Sequence, residues 1–204
     1  MILLVSARTS SLACRLAFVL SGLAGEVKDL SLRGGEHKTP EMLALNPKGQ
    51  VPALVLDSGE TITETPAILL AIGEMAPESG LIPADRVQRW QVIEWLSWYA
   101  YQFPRAFQPA FRPAIFGPPP AENQIREGGL TRVGEVLAHL EASLGAKDWL
   151  VGNALTAADL VTAMMTTFAG FVGVVPPDAL MAHRRRVFAL PPLAETLKAE
   201  GFAA

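Results

Sequence analysis

Leu45-Asn46-Pro47-Lys48-Gly49-Gln50-Val51-Pro52-Ala53-Leu54-Val55-Leu56-Asp57-Ser58-Gly59-Glu60-Thr61-Ile62-Thr63-Glu64-Thr65-Pro66 is the stretch around which the rest of the chain is organised. Asn46-Pro47-Lys48-Gly49 has the residues of a turn, Ala53 to Leu56 is a short apolar strand, and Asp57-Ser58-Gly59-Glu60 is a tight connection to a second strand at Thr61 to Thr63. The stretch therefore reads as a β-hairpin entered through a proline. Val51-Pro52 stands where loop becomes strand, and an X-Pro bond is the one kind that adopts cis at a cost of only about 0.5–1 kcal/mol. A cis bond there turns the backbone of Val51 outward, open to an extended ligand. After the hairpin, Glu64-Thr65-Pro66 starts an apolar helix from Ala67 to Met75, with Thr65 as N-cap and Pro66 at the first helical position. Its first N–H groups are available to an anion.

Working outward toward the N-terminus, Ile2 to Ser6 is a continuous apolar run, as expected of a strand covered on both faces. Ala7-Arg8-Thr9 is a loop, and Ser10 or Ser11 caps a helix that runs to about Leu23. Glu26 to Leu32 reads as a second strand, which completes a βαβ unit with a right-handed crossover. Arg33 to Lys38 is a polar loop and Thr39-Pro40-Glu41 begins a short helix, so the order is βαβ, α, ββα. Toward the C-terminus, residues 77–84 form a linker rich in proline and glycine, and strand signals then cease. The expected domains are 1–76, an α/β unit, and 85–204, an all-α unit. Asp85 to Phe103 is apolar on most of its circumference and so must be buried on several sides. Pro104, Pro109, Pro113 and Pro118-Pro119-Pro120 then break regular structure, with Phe103, Phe107, Phe111 and Phe116 between them. Helices are expected over about Ala121–Leu144, Thr156–Phe171, Pro177–Phe188 and Pro191–Glu200.

The 204 residues are half apolar and 18% charged, enough to bury a core and too apolar for disorder. A formal charge of −3 offers no electrostatic handle for nucleic acid or an anionic membrane. The single cysteine, Cys14, allows no intramolecular disulfide and fits a reducing compartment. Met1 to Val5 is too short for a signal-peptide core and no apolar run reaches membrane-spanning length. The expectation is a soluble cytoplasmic protein.

The central stretch resembles the glutathione-binding half of the cytosolic glutathione S-transferase family, in which Asn-Pro-x-Gly-x-Val-Pro, a hairpin and Glu-Ser/Thr follow in this order and spacing. A second element, Gly152-Asn153-Ala154-Leu155-Thr156-Ala157-Ala158-Asp159, resembles the Gly-x-x-x-Ser/Thr-x-Ala-Asp element of that family's helical domain. Thr156 and Asp159 there make a capping box, so Asp159 is structural and not a catalytic carboxylate. The resemblance implies a thioredoxin-like N-terminal domain followed by an all-α C-terminal domain. It also implies glutathione as co-substrate, with Val51 bonded to the cysteinyl backbone, Pro52 as the cis residue and Glu64 and Thr65 holding the γ-glutamyl end. By the same register His37, Lys38 and Gln50 reach the glycyl carboxylate. Family members pair as homodimers through the first helix of the α-domain and the helix starting near Thr65.

Ser11-Leu12-Ala13-Cys14 occupies the place where thioredoxin-like proteins carry Cys-x-x-Cys, and with one sulfur left dithiol exchange is unavailable. A hydroxyl at a helix N-terminus remains, able to donate to a bound thiolate. Many family members use a serine followed by Cys-Arg, which selects Ser11 ahead of Cys14 and Arg15; others place the active residue one position earlier, which selects Ser10. Lowering a thiol pKa from about 8.5 to about 6.5 requires roughly 2.7 kcal/mol. A hydrogen bond to a charged group supplies about 1.5–3 kcal/mol and a helix end about 0.3–1. One hydroxyl and one helix N-terminus suffice.

Cys14, Met164-Met165 and the tryptophans Trp90, Trp95 and Trp98 are assigned to the core, and His183-Arg184-Arg185-Arg186 to a solvated helix face. No metal-ligand spacing and no phosphate-binding glycine loop is present in the sequence. Phe103, Phe107, Phe111 and Arg112 are expected to line a pocket for a small apolar electrophile. Three departures from the family pattern bear on the reaction: no tyrosine near the end of the first strand, Pro104 where many bacterial members have histidine, and Leu190-Pro191 in place of Arg-Pro. The reading is a transferase joining the glutathione thiolate to that electrophile. A non-catalytic glutathione-binding module is one alternative, and a glutathione-dependent isomerase, suggested by Ser-Ser-x-x-x-Arg from Ser10 to Arg15, is another.

Overall fold

In the computed structural model, which describes residues 1–202, contacts divide the chain into two compact units. One is Met1–Arg89 together with the segment from Phe188 onward, and the other is Trp90–Val187.

The first unit is built on β1 (Ile2–Val5), β2 (Glu26–Asp29), β3 (Ala53–Val55) and β4 (Thr61–Thr63), in the spatial order β2-β1-β3-β4. β1 pairs in parallel with β2 and antiparallel with β3, and β3 pairs antiparallel with β4, the mixed sheet of a thioredoxin-like domain. The apolar run of β1 earns its central place: Leu3, Leu4 and Val5 are buried, with Leu3 opposite Leu54 and Leu4 opposite Ala53. The helices are α1 (Leu12–Ser21), α2 (Pro40–Leu45) and α3 (Thr65–Met75). Every residue of α1 from Leu12 to Phe18 is buried, and α1 packs against α3. It stops at Gly22, whose φ of 66° closes the helix in the left-handed conformation glycine adopts without strain.

The second unit holds most of α4 (Arg86–Phe111), all of α5 (Glu122–Leu144) and α6 (Ala157–Val172), and α7 (Asp178–Phe188) up to its last residue. α6 is buried along nearly its whole length, with Met164 and Met165 fully enclosed as expected. The hydroxyls of Thr162, Thr166 and Thr167 donate to the carbonyls four residues earlier, so these buried threonines leave no unpaired donor. α5 approaches α4 closely at Gly129, where an added Cβ would lie 2.6 Å from the Ala110 nitrogen.

Two expectations need correction here. α4 does not end at Phe103; it continues through Pro104 and Pro109 to Phe111. The carbonyls freed by these prolines belong to Ala100 and Arg105, both exposed and so open to water. Tyr99, Phe103, Phe107 and Phe111 meanwhile stack at four-residue intervals, with ring centroids 5.4, 4.8 and 6.5 Å apart, and carry one packed face across both prolines. The second correction concerns His183-Arg184-Arg185-Arg186. His183 is fully buried and Arg184 Nε donates to Thr167 Oγ1 at 2.8 Å, so the first half of this run is not solvated, whereas Arg185 is exposed.

α8 (Ala194–Ala199) follows a short 3-10 turn at Pro191–Leu193, and that turn packs on α1. The last segment thus belongs by contact to the first unit, whereas the 85–204 domain of the sequence reading groups it by helix content. Among the described residues no helix is long and apolar enough to cross a membrane.

Candidate functional site

The loop that enters the hairpin is shaped by Asn46, which is buried. Its carboxamide donates to the Gln50 carbonyl at 2.8 Å and accepts from the Lys48 N–H at 3.1 Å. Val51-Pro52 is cis. Gln50 is exposed and Val51 is half-buried at the lip of β3. Lys38, just ahead of α2, lies over Gly49, and its Nζ donates to the Lys48 carbonyl at 3.5 Å. Gly49 has φ 56°, the left-handed conformation glycine adopts without strain, and a Cβ there would fall 2.7 Å from that Nζ and displace the Lys38 side chain. His37 is half-buried, with Nδ1 enclosed and without a partner among the described residues.

Glu64 sits at φ 72° and ψ 128°, a conformation that a residue with a side chain adopts only when its surroundings enforce it. It occupies the cap position of α3, and Thr65 is already the first residue inside the helix, which starts one residue earlier than the sequence reading had it. Lys48 Nζ donates to Glu64 Oε1 at 2.7 Å and to Thr63 Oγ1 at 2.8 Å. Lys48 is the contact that sequence reasoning passed over, although it stands within the Asn-Pro-Lys-Gly turn. Thr65 is buried, and its carbonyl accepts from Cys14 Sγ at 3.8 Å. Burial pushes the Cys14 thiol up to about 12, against a smaller downward pull from Thr65, so Cys14 is an inert core residue at neutral pH.

The loop between β1 and α1 holds the two candidate serines differently. Thr9 Oγ1 donates to the Ser6 carbonyl at 2.7 Å, which uses its only proton. The 2.8 Å contact between Thr9 Oγ1 and Ser11 Oγ must then be a donation from Ser11. Ser11 Oγ also accepts from the Ser6 N–H at 3.4 Å, and the residue is fully buried. It makes no cap bond to α1. Ser11 thus has neither a spare proton nor an opening to a ligand, contrary to the sequence reading that put it first. Ser10, next to it at the head of α1, is half-buried and its hydroxyl has no side-chain partner among the described residues.

In the helical unit, Phe107 is fully buried and belongs to the core, not to a pocket wall. Phe111 remains 41% exposed at the end of the aromatic ladder, Phe103 is half-buried against Phe168, and Arg112 follows the helix at its exposed end. A groove of about 350 Å³ lies on a different face of α4, bounded by Trp98, Gln102, Arg105, Arg132, Glu135 and His139. Asp159 does what the capping reading assigned to it and more. Its carboxylate accepts from the N–H groups of Thr156 at 2.8 Å and Leu150 at 2.9 Å, and lies 2.9 Å from His183 Nε2. Among the described residues no group of three or more acidic, histidine or cysteine side chains could hold a metal ion.

Residues 9–75 match the glutathione S-transferase N-terminal domain, and residues 103–191 match the glutathione S-transferase C-terminal domain. The chain belongs to the glutathione S-transferase family. It is 30% identical over 164 residues to glutathione S-transferase GstA of Escherichia coli O157:H7, covering 79% of each chain. The structure of a sphingomonad glutathione S-transferase complexed with glutathione superposes with a TM-score of 0.85 at 35% identity, over the whole of both chains. A maleylacetoacetate isomerase of Pseudomonas aeruginosa is 42% identical over 83 residues, 40% of this chain and 39% of that one. The family is one of enzymes that transfer glutathione, and the hairpin, the start of α3 and the β1–α1 loop are the parts of this chain that carry its motif.

Proposed function

We propose that the protein joins the thiolate of glutathione to a small apolar electrophile, with the Ser10 hydroxyl donating to the thiolate at the N-terminus of α1. The observation that carries this assignment is the closed hydrogen-bond circuit of Ser6, Thr9 and Ser11, which leaves Ser10 as the hydroxyl with a proton to give. Val51 offers its backbone to the cysteinyl residue of glutathione, Glu64 and Thr65 receive the γ-glutamyl end, and His37, Lys38 and Gln50 stand toward the glycyl carboxylate. In this role the Lys48–Glu64 ion pair holds the carboxylate in place until the ligand's amino group arrives. The exposed end of the aromatic ladder, Phe111 with Phe103, supports an apolar acceptor.

Glu64→Ala is expected to weaken glutathione binding by about 1.5–3 kcal/mol, since the amino group loses a charged partner. Calorimetric titration measures this, and an unchanged affinity would remove Glu64 from the site.

The likeness to the isomerase favours a second reading, in which glutathione adds to a cis-enedione and leaves again after isomerisation. Turnover with glutathione against a panel of aryl halides and cis-enediones separates the two. Conjugate formation with aryl halides is the outcome expected here.

The same reading includes a homodimer. Val87, Trp90 and Tyr101 are all more than half exposed on one side of α4, Trp90 contrary to its assignment to the core, and a two-fold interface of about 1,600 Å² would cover them. Sedimentation at low micromolar concentration should give a species of about twice the chain mass, and a single species at 21.8 kDa would contradict the dimer.

A further inference from the structure

A buried charge cluster reaches the β1–α1 loop from the far end of the chain. Arg8 has φ 57°, a left-handed conformation that needs an external hold in a residue other than glycine. Its backbone N–H donates to Glu200 Oε2 at 2.7 Å, across 192 residues of sequence. Glu200 Oε1 lies 3.0 Å from Arg15 Nε on α1, and Arg15 also pairs with Asp29 at the end of β2. The Glu200 side chain is 0% exposed and that of Arg15 8%. Burial raises the Glu200 carboxyl above the usual carboxylate range, opposed by the Arg8 N–H and the Arg15 charge. A buried ion pair is weak evidence for a stabilising role, so its geometry is the feature to account for.

We propose that Glu200 is a positioning residue for the thiolate-binding loop, holding Arg8 in its left-handed conformation so that Ser10 presents its hydroxyl at the head of α1. The inference rests on the assignment of Ser10 in the proposed function. Only Thr9 separates Arg8 from Ser10, and Thr9 is itself tied to Ser6 and Ser11. When Arg8 relaxes, that circuit loses its entry angle, and a misplacement of about 1 Å is enough to lose a hydrogen bond to the thiolate. Glutathione affinity is set elsewhere, by Val51, Glu64 and Thr65, so the effect falls on the thiolate and on kcat.

The test compares Glu200→Ala, Glu200→Gln and Ser10→Ala in the full chain, reading the pH titration of bound glutathione thiolate, kcat and KM, and amide exchange at Arg8. Glu200→Ala should raise the titration midpoint by about one pH unit, lower kcat about tenfold, leave KM for glutathione within about twofold and speed Arg8 exchange at least about tenfold. Glu200→Gln keeps an oxygen that accepts from Arg8 and should restore slow exchange and most of kcat. A folded Glu200→Ala protein with unchanged titration and unchanged Arg8 exchange overturns the inference, as does a Glu200→Gln protein as impaired as Glu200→Ala. If Glu200→Ala does not fold, Glu200→Gln is read alone: slow exchange with an unmoved titration supports the hold, and fast exchange with an unmoved titration overturns it. Ser10→Ala separates the two levels. If it leaves the thiolate titration unmoved, the Ser10 assignment fails; if it shifts the titration and Glu200→Ala does not, the Glu200 inference alone fails.

Discussion

Asp159→Ala is expected to lower the stability of the helical unit by about 3–5 kcal/mol, because one buried carboxylate there serves two backbone N–H groups and a buried imidazole. Loss of a helix cap alone costs about 1 kcal/mol. The excess comes from the Leu150 N–H and His183, both buried and both losing the carboxylate as partner. Denaturant unfolding measures the difference, and a loss near 1 kcal/mol would reduce Asp159 to an ordinary cap. Asp159→Asn keeps one acceptor oxygen and should fall between the two.

The second large effect is on the reaction. Ser10→Ala should raise the pKa of the bound thiol by about one to two units and lower kcat about ten- to a hundredfold near neutral pH, with glutathione affinity little changed. Ser11→Ala should act differently. It removes the acceptor of the Ser6 N–H and the donor to Thr9, so it should cost about 1–3 kcal/mol of stability and leave the bound thiol where it was. A thiol that responds to Ser11→Ala and not to Ser10→Ala would reverse the assignment.

The hairpin and the first strand were legible because they are written locally, whereas the thioredoxin-like topology was implied by the family resemblance. The Asn46–Gly49 turn, the Asp57–Glu60 connection and the continuous apolar run of β1 each specify their own geometry within a few residues. What was not legible depends on partners distant in sequence. His183-Arg184 looks solvated on its own, and only the packing of α7 on α6 brings His183 to Asp159 and Arg184 to Thr167. Glu200 and Arg15 are at opposite ends of the chain. The proposal of Ser10 over Ser11 rests on a single proton held by Thr9, which no residue pattern reveals. α4 outran the proline rule because stacking of Tyr99, Phe103, Phe107 and Phe111 spans both breaks while the freed carbonyls belong to exposed residues.

The central claim is that this chain binds glutathione as a thiolate ready for transfer, and the pH titration of the bound thiol's ultraviolet absorbance tests it most directly. A free thiol titrates at about 8.5, and a hydroxyl together with a helix N-terminus should bring the bound one to about 6.5. A bound thiol that titrates where free glutathione does would contradict the account, leaving a protein that holds glutathione without activating it.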